Sequence, residues 1–317
     1  MHESWYDGDT QLEPAYAFDR GLQIEGLPGG DDVHPLLRSW NSSAFQVGSG
    51  ASRLTMLGGP GSAVGWHRHG SSAQMMPHGR KRWFFYPLDR YPPGDGPGGG
   101  FALSDWLRVV YPTLSRDQRP LECIQLPGDT VYVPEGWYHA VLNLADSVAV
   151  AVQNDHFVDR PTEALKGVSL GHVRHMRQAQ PELLTALVRE ARELMRRYPD
   201  SDLHARKVMF YAAMDTSHEE AVEAVLGGTA RDPFHVPMQY EMAVWLHGRA
   251  KGGDELALRT FQRVMEVWDV AADLLKNTRN LKALWILDRY YGLVGQKDLS
   301  RHYHARLVDL HSRGIDR

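Results

Sequence analysis

The sequence predicts an α+β protein in which an antiparallel β-barrel or sandwich is followed by an all-α region. Up to about residue 157, short segments rich in β-branched and aromatic residues alternate with Gly and Pro clusters, which is typical of antiparallel β-structure. From about residue 162, apolar residues recur at spacings of three and four, as in amphipathic helices. These two patterns predict a β-domain over 1–160 and a helical domain over 161–317.

The β-half divides into elements at its glycine and proline clusters. Strand-like segments are RLTMLGGPGSAVGWHRHG, RKRWFFYP, CIQLPGDTVYVPEGWYHAVLNL and SVAVAVQ. The pattern also predicts one short helix, roughly Leu103 to Val110, after the glycine-rich loop at 94–100.

The helical half contains two segments that read as helix hairpins with glycine at the turn. Some of their residues fall at the spacing of a tetratricopeptide repeat. These are Gly252, Ala257 and Phe261 in the first segment and Leu287, Tyr291 and Gly295 in the second. The period between them is about 43, longer than the 34 of that repeat. A tetratricopeptide-like layer and an ordinary helical bundle packed on the barrel are therefore both open.

Composition excludes several classes of protein. The chain has 317 residues, of which 43% are hydrophobic and 23% charged, and its net charge is −4. It therefore lacks the excess of positive charge that is typical of nucleic-acid-binding proteins. No apolar run reaches the roughly 18 residues of a membrane helix, and the start lacks a signal-peptide pattern. The single cysteine, Cys123, excludes an internal disulfide. We expect a soluble intracellular protein, and nothing indicates its oligomeric state.

Two histidines one residue apart, His67 and His69, raise the question of a metal site. Sixteen histidines in 317 residues predict about one such pair by chance. A second pair, His302 and His304, lies in a predicted helix, where residues two apart do not share a face. His67 and His69 lie in a strand-like segment, where residues two apart point to the same side and can reach one ion.

Two spaced patterns surround these histidines. The first is Gly61-(x)5-His67-x-His69-(x)4-Gln74, and the second is Gly128-(x)5-Pro134-x-Gly136-(x)2-His139-(x)3-Asn143. They resemble the two motifs of the cupin superfamily, which implies a double-stranded β-helix, a jelly-roll barrel. The second motif is complete. The first carries Gln74 in place of the usual glutamate and Lys81 in place of the final glycine.

The segments GRKRWFFYP and LPGDTVYVPEGWYHAVLNL resemble the jumonji-C (JmjC) branch of the cupins, over about 40–154. Within it, the chain is most similar to small JmjC proteins of the endoplasmic reticulum lumen. The resemblance implies an Fe(II)- and 2-oxoglutarate-dependent oxygenase with His67 and His139 as metal ligands. His69 takes the place of the usual carboxylate, so the implied site has three histidines.

The resemblance also implies where the co-substrate binds. Lys81 matches the lysine that pairs with the distal carboxylate of 2-oxoglutarate, and Asn154 or its neighbour Gln153 supplies a polar contact near the end of the last strand. The residues expected to line the pocket are Gln74, Trp83, Tyr138 and Asn143. Beyond the metal ligands, no catalytic residue is expected.

The expected reaction is hydroxylation of a protein or peptide side chain. Because a neutral ligand replaces an anionic one, three other functions remain possible. The site could be a three-histidine iron site like that of thiol dioxygenases, or it could bind zinc or another divalent metal. The protein could also be a catalytically inactive pseudo-oxygenase whose helices bind a partner. JmjC proteins of this kind usually carry more sequence before the matching region. A truncated start would make the lumen of the endoplasmic reticulum the alternative compartment.

Overall fold

The computed structural model describes residues 16–19, 51–94, 100–154, 165–199, 203–270, 275 and 278–313. The chain folds into two compact units. The β-unit comprises Met1–Leu88 and Pro120–Asp159, and the helical unit comprises Asp89–Arg119 and Arg160–Arg317. The predicted combination of a β-core and a helical region is confirmed.

The described strands of the β-unit form two antiparallel sheets. The strands are β1 (Tyr16–Asp19), β2 (Ala51–Gly58), β3 (Ala63–His67), β4 (Ser72–His78), β5 (Lys81–Tyr86), β6 (Leu121–Gln125), β7 (Thr130–Val133), β8 (Tyr138–Asn143) and β9 (Ser147–Asn154). The first sheet has the order β1-β2-β9-β4-β7 and the second has the order β3-β8-β5-β6.

The two sheets face each other across an apolar core. Trp83, Phe85 and Val141 of the second sheet pack with Val133 of the first. Because side chains alternate along a strand, this packing identifies the inner face of each strand. On β5 the inner residues are therefore Lys81, Trp83 and Phe85, and on β8 they are His139, Val141 and Asn143.

Glycines of the two motifs shape the loops around this core. Gly61 and Gly136 have φ angles of 82° and 70°, a region that side chains with a Cβ rarely adopt. The backbone N–H of Gly136 donates to the carbonyl of His69 at 2.9 Å. The turn before β8 therefore holds the backbone that carries His69.

The described part of the helical unit is mainly helical. Its helices are α1 (Leu103–Val109), α2 (Leu170–Ala179), α3 (Pro181–Arg197), α4 (Leu203–Ala213), α5 (His218–Arg231), α6 (Val236–Lys251), α7 (Glu255–Val270), α8 (Leu281–Leu293) and α9 (Lys297–Ser312). The two predicted hairpins correspond to α6/α7 and α8/α9, which pack together. Phe261 and Leu287, at the repeat-like positions, are fully buried.

The segment 89–119 belongs to the helical unit, which differs from the single boundary predicted at residue 160. Buried polar contacts explain the difference. Both carboxylate oxygens of Asp232 accept the Gly94 N–H, at 2.8 and 3.0 Å. Asp105 of α1 accepts the Thr278 hydroxyl at 2.8 Å. Hydrophobic periodicity carries no signal for such hydrogen bonds between residues far apart in the chain.

In the described part of the chain, no helix combines the length and the apolarity that crossing a membrane requires. His302 and His304 lie on α9, in a segment predicted to be helical, and both are exposed.

Candidate metal centre

Three histidines meet at one end of the β-core. His67 ends β3, His69 follows it, and His139 lies opposite His67 on β8. One ring nitrogen from each of the three lies within 4.8 Å of the other two, close enough for a single ion. His139 is 2% exposed, whereas His67 and His69 are partly accessible, so the group has a buried side and an open side.

The backbone orients all three imidazoles in the same way. Each Nδ1 lies within hydrogen-bonding distance of a main-chain carbonyl: His67 to Gly65 at 2.8 Å, His69 to Gly70 at 2.6 Å and His139 to Trp137 at 3.1 Å. A carbonyl only accepts, so each Nδ1 carries the proton. Each Nε2 therefore presents a lone pair, the arrangement that a metal-binding histidine needs.

Burial keeps the rings of His67 and His139 neutral. Burial, with a smaller contribution from the nearby His69, lowers the pKa of His67 to about 4. Burial also holds the pKa of His139 well below its usual range, with His67 and His69 contributing. Neutral imidazole is the ligand form, so His67 and His139 need to lose no proton before binding a cation.

A buried cation lies on the same inner face. Lys81 is 0% exposed, and burial lowers its pKa to about 7. Its Nζ donates to the hydroxyl of Tyr16 at 2.6 Å and lies 4.7 Å from the centre of that ring. Burial raises the pKa of Tyr16, so the phenol keeps its proton and is itself a donor. Lys81 and Tyr16 together present N–H and O–H groups suited to an anionic oxygen.

Sequence reasoning missed Tyr16. It lies on β1, 65 residues before Lys81, in a segment with no motif. Strand pairing brings Tyr16 opposite Gly58, where the missing side chain leaves room for its ring.

Two amides flank Lys81 on the inner face, because Asn143 and Gln125 are its register partners on β8 and β6. Asn143 donates through Nδ2 to the Ser62 hydroxyl at 2.7 Å. Its Oδ1 is buried and has no partner among the described residues.

Gln125 holds Gln74, the residue at the motif position of the usual glutamate. Its Oε1 accepts from Trp83 Nε1 at 2.8 Å and from Gln74 Nε2 at 3.4 Å. Its Nε2 donates to the main-chain carbonyls of Gln74 at 2.8 Å and Asp129 at 3.2 Å. Gln74 is thus a buried amide inside a hydrogen-bond network.

The remaining predicted pocket residues divide by strand face. Trp83 faces inward, with its ring centre 6.1 Å from that of His139. Tyr138 lies on the other face of β8, where Arg68 stacks over its ring at 5.4 Å. On β9, Ala151 pairs with the inward-facing Gln74, so Ala151 and Gln153 lie on the inner face. Asn154, one residue further along, lies on the outer face. Strand register therefore favours Gln153 over Asn154 as an inward polar group, and it separates Tyr138 from the three histidines.

Comparison with known proteins shows a similarity to JmjC proteins. A family model described as "JmjC domain, hydroxylase" matches residues 101–153. JmjC domain-containing protein 8 of Rattus norvegicus is 36% identical over 118 residues, covering 37% of this chain and 43% of the rat protein. The chain thus resembles JmjC proteins over part of its length.

More distant relatives show what the JmjC family includes. Lysine-specific demethylase JMJ21 of Arabidopsis thaliana is 35% identical over 154 residues, covering 44% of this chain and 16% of that protein. The 2-oxoglutarate and iron-dependent oxygenase JMJD4 of Mus musculus is 29% identical over 145 residues, covering 41% and 29%. The chain thus spans less than half the length of each of these relatives. The predicted resemblance to JmjC proteins is confirmed, and the family includes iron- and 2-oxoglutarate-dependent oxygenases.

Proposed function

We propose that this protein is an Fe(II)- and 2-oxoglutarate-dependent oxygenase that hydroxylates a protein or peptide side chain. His67, His69 and His139 would hold the metal, and Lys81 would hold the distal carboxylate of the co-substrate. The observation that carries the proposal is the convergence of one ring nitrogen from each of three histidines, together with the main-chain carbonyl beside each Nδ1.

The donor set fits a divalent metal. Three neutral imidazoles suit iron, zinc, copper or nickel, and three protein ligands leave positions for other groups. Fe(II), when bound with 2-oxoglutarate, supplies the oxidising chemistry that activates O2. The protein's part is to fix the imidazole rings through their Nδ1 hydrogen bonds and to keep them unprotonated.

The buried lysine fits an anionic co-substrate. A fully buried ammonium without a carboxylate is unfavourable, and the described partner of Lys81 is the neutral Tyr16. A ligand carboxylate would supply the missing charge and accept from both residues. Lys81 lies four positions before Phe85, the register partner of His139, so the backbone positions of Lys81 and His139 are about 13 Å apart along the strands. Both side chains extend from the inner face, so a dicarboxylate held between them would contact both groups.

The alternative is a pseudo-oxygenase that acts as an interaction scaffold through its helices. The observation favouring it is that the three-residue group contains no carboxylate and that position 74 is an amide held by Gln125. With His69 in place of the usual carboxylate, the three ligands are neutral, so the Fe(II) site carries one more positive charge than a site with two histidines and a carboxylate.

Anaerobic reconstitution separates the two functions. Purified protein is loaded with Fe(II), and succinate release from 2-oxoglutarate is measured on exposure to O2, with metal and co-substrate binding measured in parallel by titration. The oxygenase predicts succinate release that depends on Lys81 and His139. Binding of metal without turnover, in the presence of candidate peptides, would support the scaffold.

A further inference from the structure

Asn143 is a buried amide whose orientation is fixed by two hydrogen bonds. The side chain is 1% exposed, and its Nδ2 donates to the Ser62 hydroxyl at 2.7 Å. That hydroxyl gives its single proton to the carbonyl of Gly59 at 2.6 Å, so towards Asn143 it only accepts. The amide nitrogen therefore faces Ser62, and Oδ1 points away from it.

This Oδ1 is an acceptor that lacks a donor. It is buried and has no partner among the residues that the structure describes. A buried acceptor left unpaired is unfavourable. The fixed amide is therefore suited to accept a hydrogen bond from a donor within the β-core.

The fold brings the ammonium group of Lys81 to this part of the core. Lys81 and Asn143 are direct register partners on β5 and β8 and share the inner face, so their Cα atoms are about 5 Å apart. The buried Nζ of Lys81 donates to the Tyr16 hydroxyl at 2.6 Å. The Tyr16 ring and the Asn143 amide both come within 3.0 Å of the point that a Cβ on Gly58 would occupy. The lysine, the phenol and the amide therefore border one small space.

The Lys81 ammonium has three N–H groups, and Tyr16 accepts one of them. A ligand carboxylate beside the lysine would accept a second. A carboxylate has no proton to donate, so its oxygens would face Oδ1 of Asn143 unfavourably unless an N–H group lies between them. The third N–H of Lys81 fills this role.

We propose that Asn143 is a positioning residue that acts through Lys81. When a dicarboxylate binds, Oδ1 of Asn143 accepts one N–H of the ammonium and aims the others at Tyr16 and at the distal carboxylate. Ser62 holds the amide in the orientation that this contact needs. The inference rests on the proposed function, because it assigns the selectivity for a distal carboxylate to Lys81 and Asn143 acting together.

Two ligands that differ at one end test this role. 2-Oxoglutarate and 2-oxoglutaramate, in which an amide replaces the distal carboxylate, are titrated by calorimetry into the full chain loaded anaerobically with Fe(II). Wild type should prefer 2-oxoglutarate by at least about tenfold. Asn143→Asp keeps the shape but supplies its own carboxylate to the ammonium, so it should abolish this preference by repelling the ligand carboxylate. An unchanged preference, with both ligands weakened equally or not at all, overturns the proposal.

Two further variants locate the effect. Asn143→Leu has a similar size but no acceptor, and it should weaken 2-oxoglutarate about fivefold. Wild-type affinity in this variant would contradict the proposal, which keeps it falsifiable if Asn143→Asp does not fold. Ile124→Asp, at an exposed position on the outer face of the same sheet, adds the same charge and should leave the preference unchanged. A lost preference in this control would show a non-specific effect of charge and contradict the proposal.

A measurement without ligand separates this inference from the proposed function. Asn143→Asp is made in wild type and in Lys81→Met, and the urea midpoints of the four proteins are compared at pH 7. The introduced carboxylate should lower the midpoint much more when the lysine is absent, because the buried charge then has no cation. Equal decreases in both backgrounds would overturn the pairing of Asn143 with Lys81. Unequal decreases in a protein that binds no 2-oxoglutarate would instead overturn the proposed function and support the pairing.

Discussion

The replacement of Lys81 by methionine tests whether this lysine is retained for a ligand. The pKa of Lys81 is about 7 rather than 10.5, and each pKa unit corresponds to about 1.4 kcal/mol. Burying its cation therefore opposes folding by about 4 kcal/mol at pH 7. Methionine fills a similar volume without charge but loses the hydrogen bond to Tyr16, about 1 kcal/mol. We expect Lys81→Met to raise the free energy of unfolding by about 3 kcal/mol.

The assay is urea unfolding at pH 7, with Lys297→Met, on the surface, as a control expected to stay within about 0.5 kcal/mol of wild type. The pH dependence has a defined sign. Between pH 7 and 10.5 the unfolded chain holds the lysine proton and the folded protein has released it, so wild-type stability rises with pH. Lys81→Met should lack this rise.

Ligand binding completes the test. A divalent metal with 2-oxoglutarate should raise the Tm of wild type and should leave that of Lys81→Met near its value with metal alone. A variant that is no more stable than wild type at pH 7, yet still gains Tm from 2-oxoglutarate, would refute the reasoning.

Three further predictions follow from the described contacts. His139→Ala should weaken Fe(II) binding at least about a hundredfold in anaerobic titration, whereas His302→Ala, on exposed α9, should not change it. Gln125→Leu should lower the free energy of unfolding by about 2–3 kcal/mol, because it leaves buried donors unpaired; Cys123→Ser, exposed on the same strand, is the control. Asp232→Ala should have a free energy of unfolding about 2 kcal/mol lower than Asp232→Asn, because both variants remove the carboxylate and only asparagine keeps an acceptor for the backbone N–H groups; equal midpoints in urea would contradict the role of these hydrogen bonds.

The sequence was most informative where geometry is local. Residues two apart on a strand share a side, so His67 and His69 were expected to meet one ion, and motif spacing added His139; the three are brought together. The change from alternating to three-and-four spacing predicted the change from strands to helices.

Non-local pairing accounts for what the sequence did not reveal. Tyr16 meets Lys81 only through the pairing of β1 with β2, and no local pattern encodes that register. The choice between Gln153 and Asn154 depends on a single residue of register on β9, and the same alternation turns Tyr138 away from His139. Segment 89–119 is grouped with the helices for a related reason, since buried polar contacts, and not periodicity, connect it to them.

The hydrogen bonds of Gln125 also bear on how this site can evolve. Because its Nε2 donates to two main-chain carbonyls, its Oε1 is turned towards the side chain at position 74. A glutamate there would set two acceptor oxygens against each other in the core. A single Gln74→Glu mutation is therefore disfavoured, and gaining the cupin carboxylate requires a second change at Gln125, one that also finds a new acceptor for the Trp83 indole. The hydrogen bonds of Gln125 in the core therefore favour keeping a metal site whose ligands are all histidines.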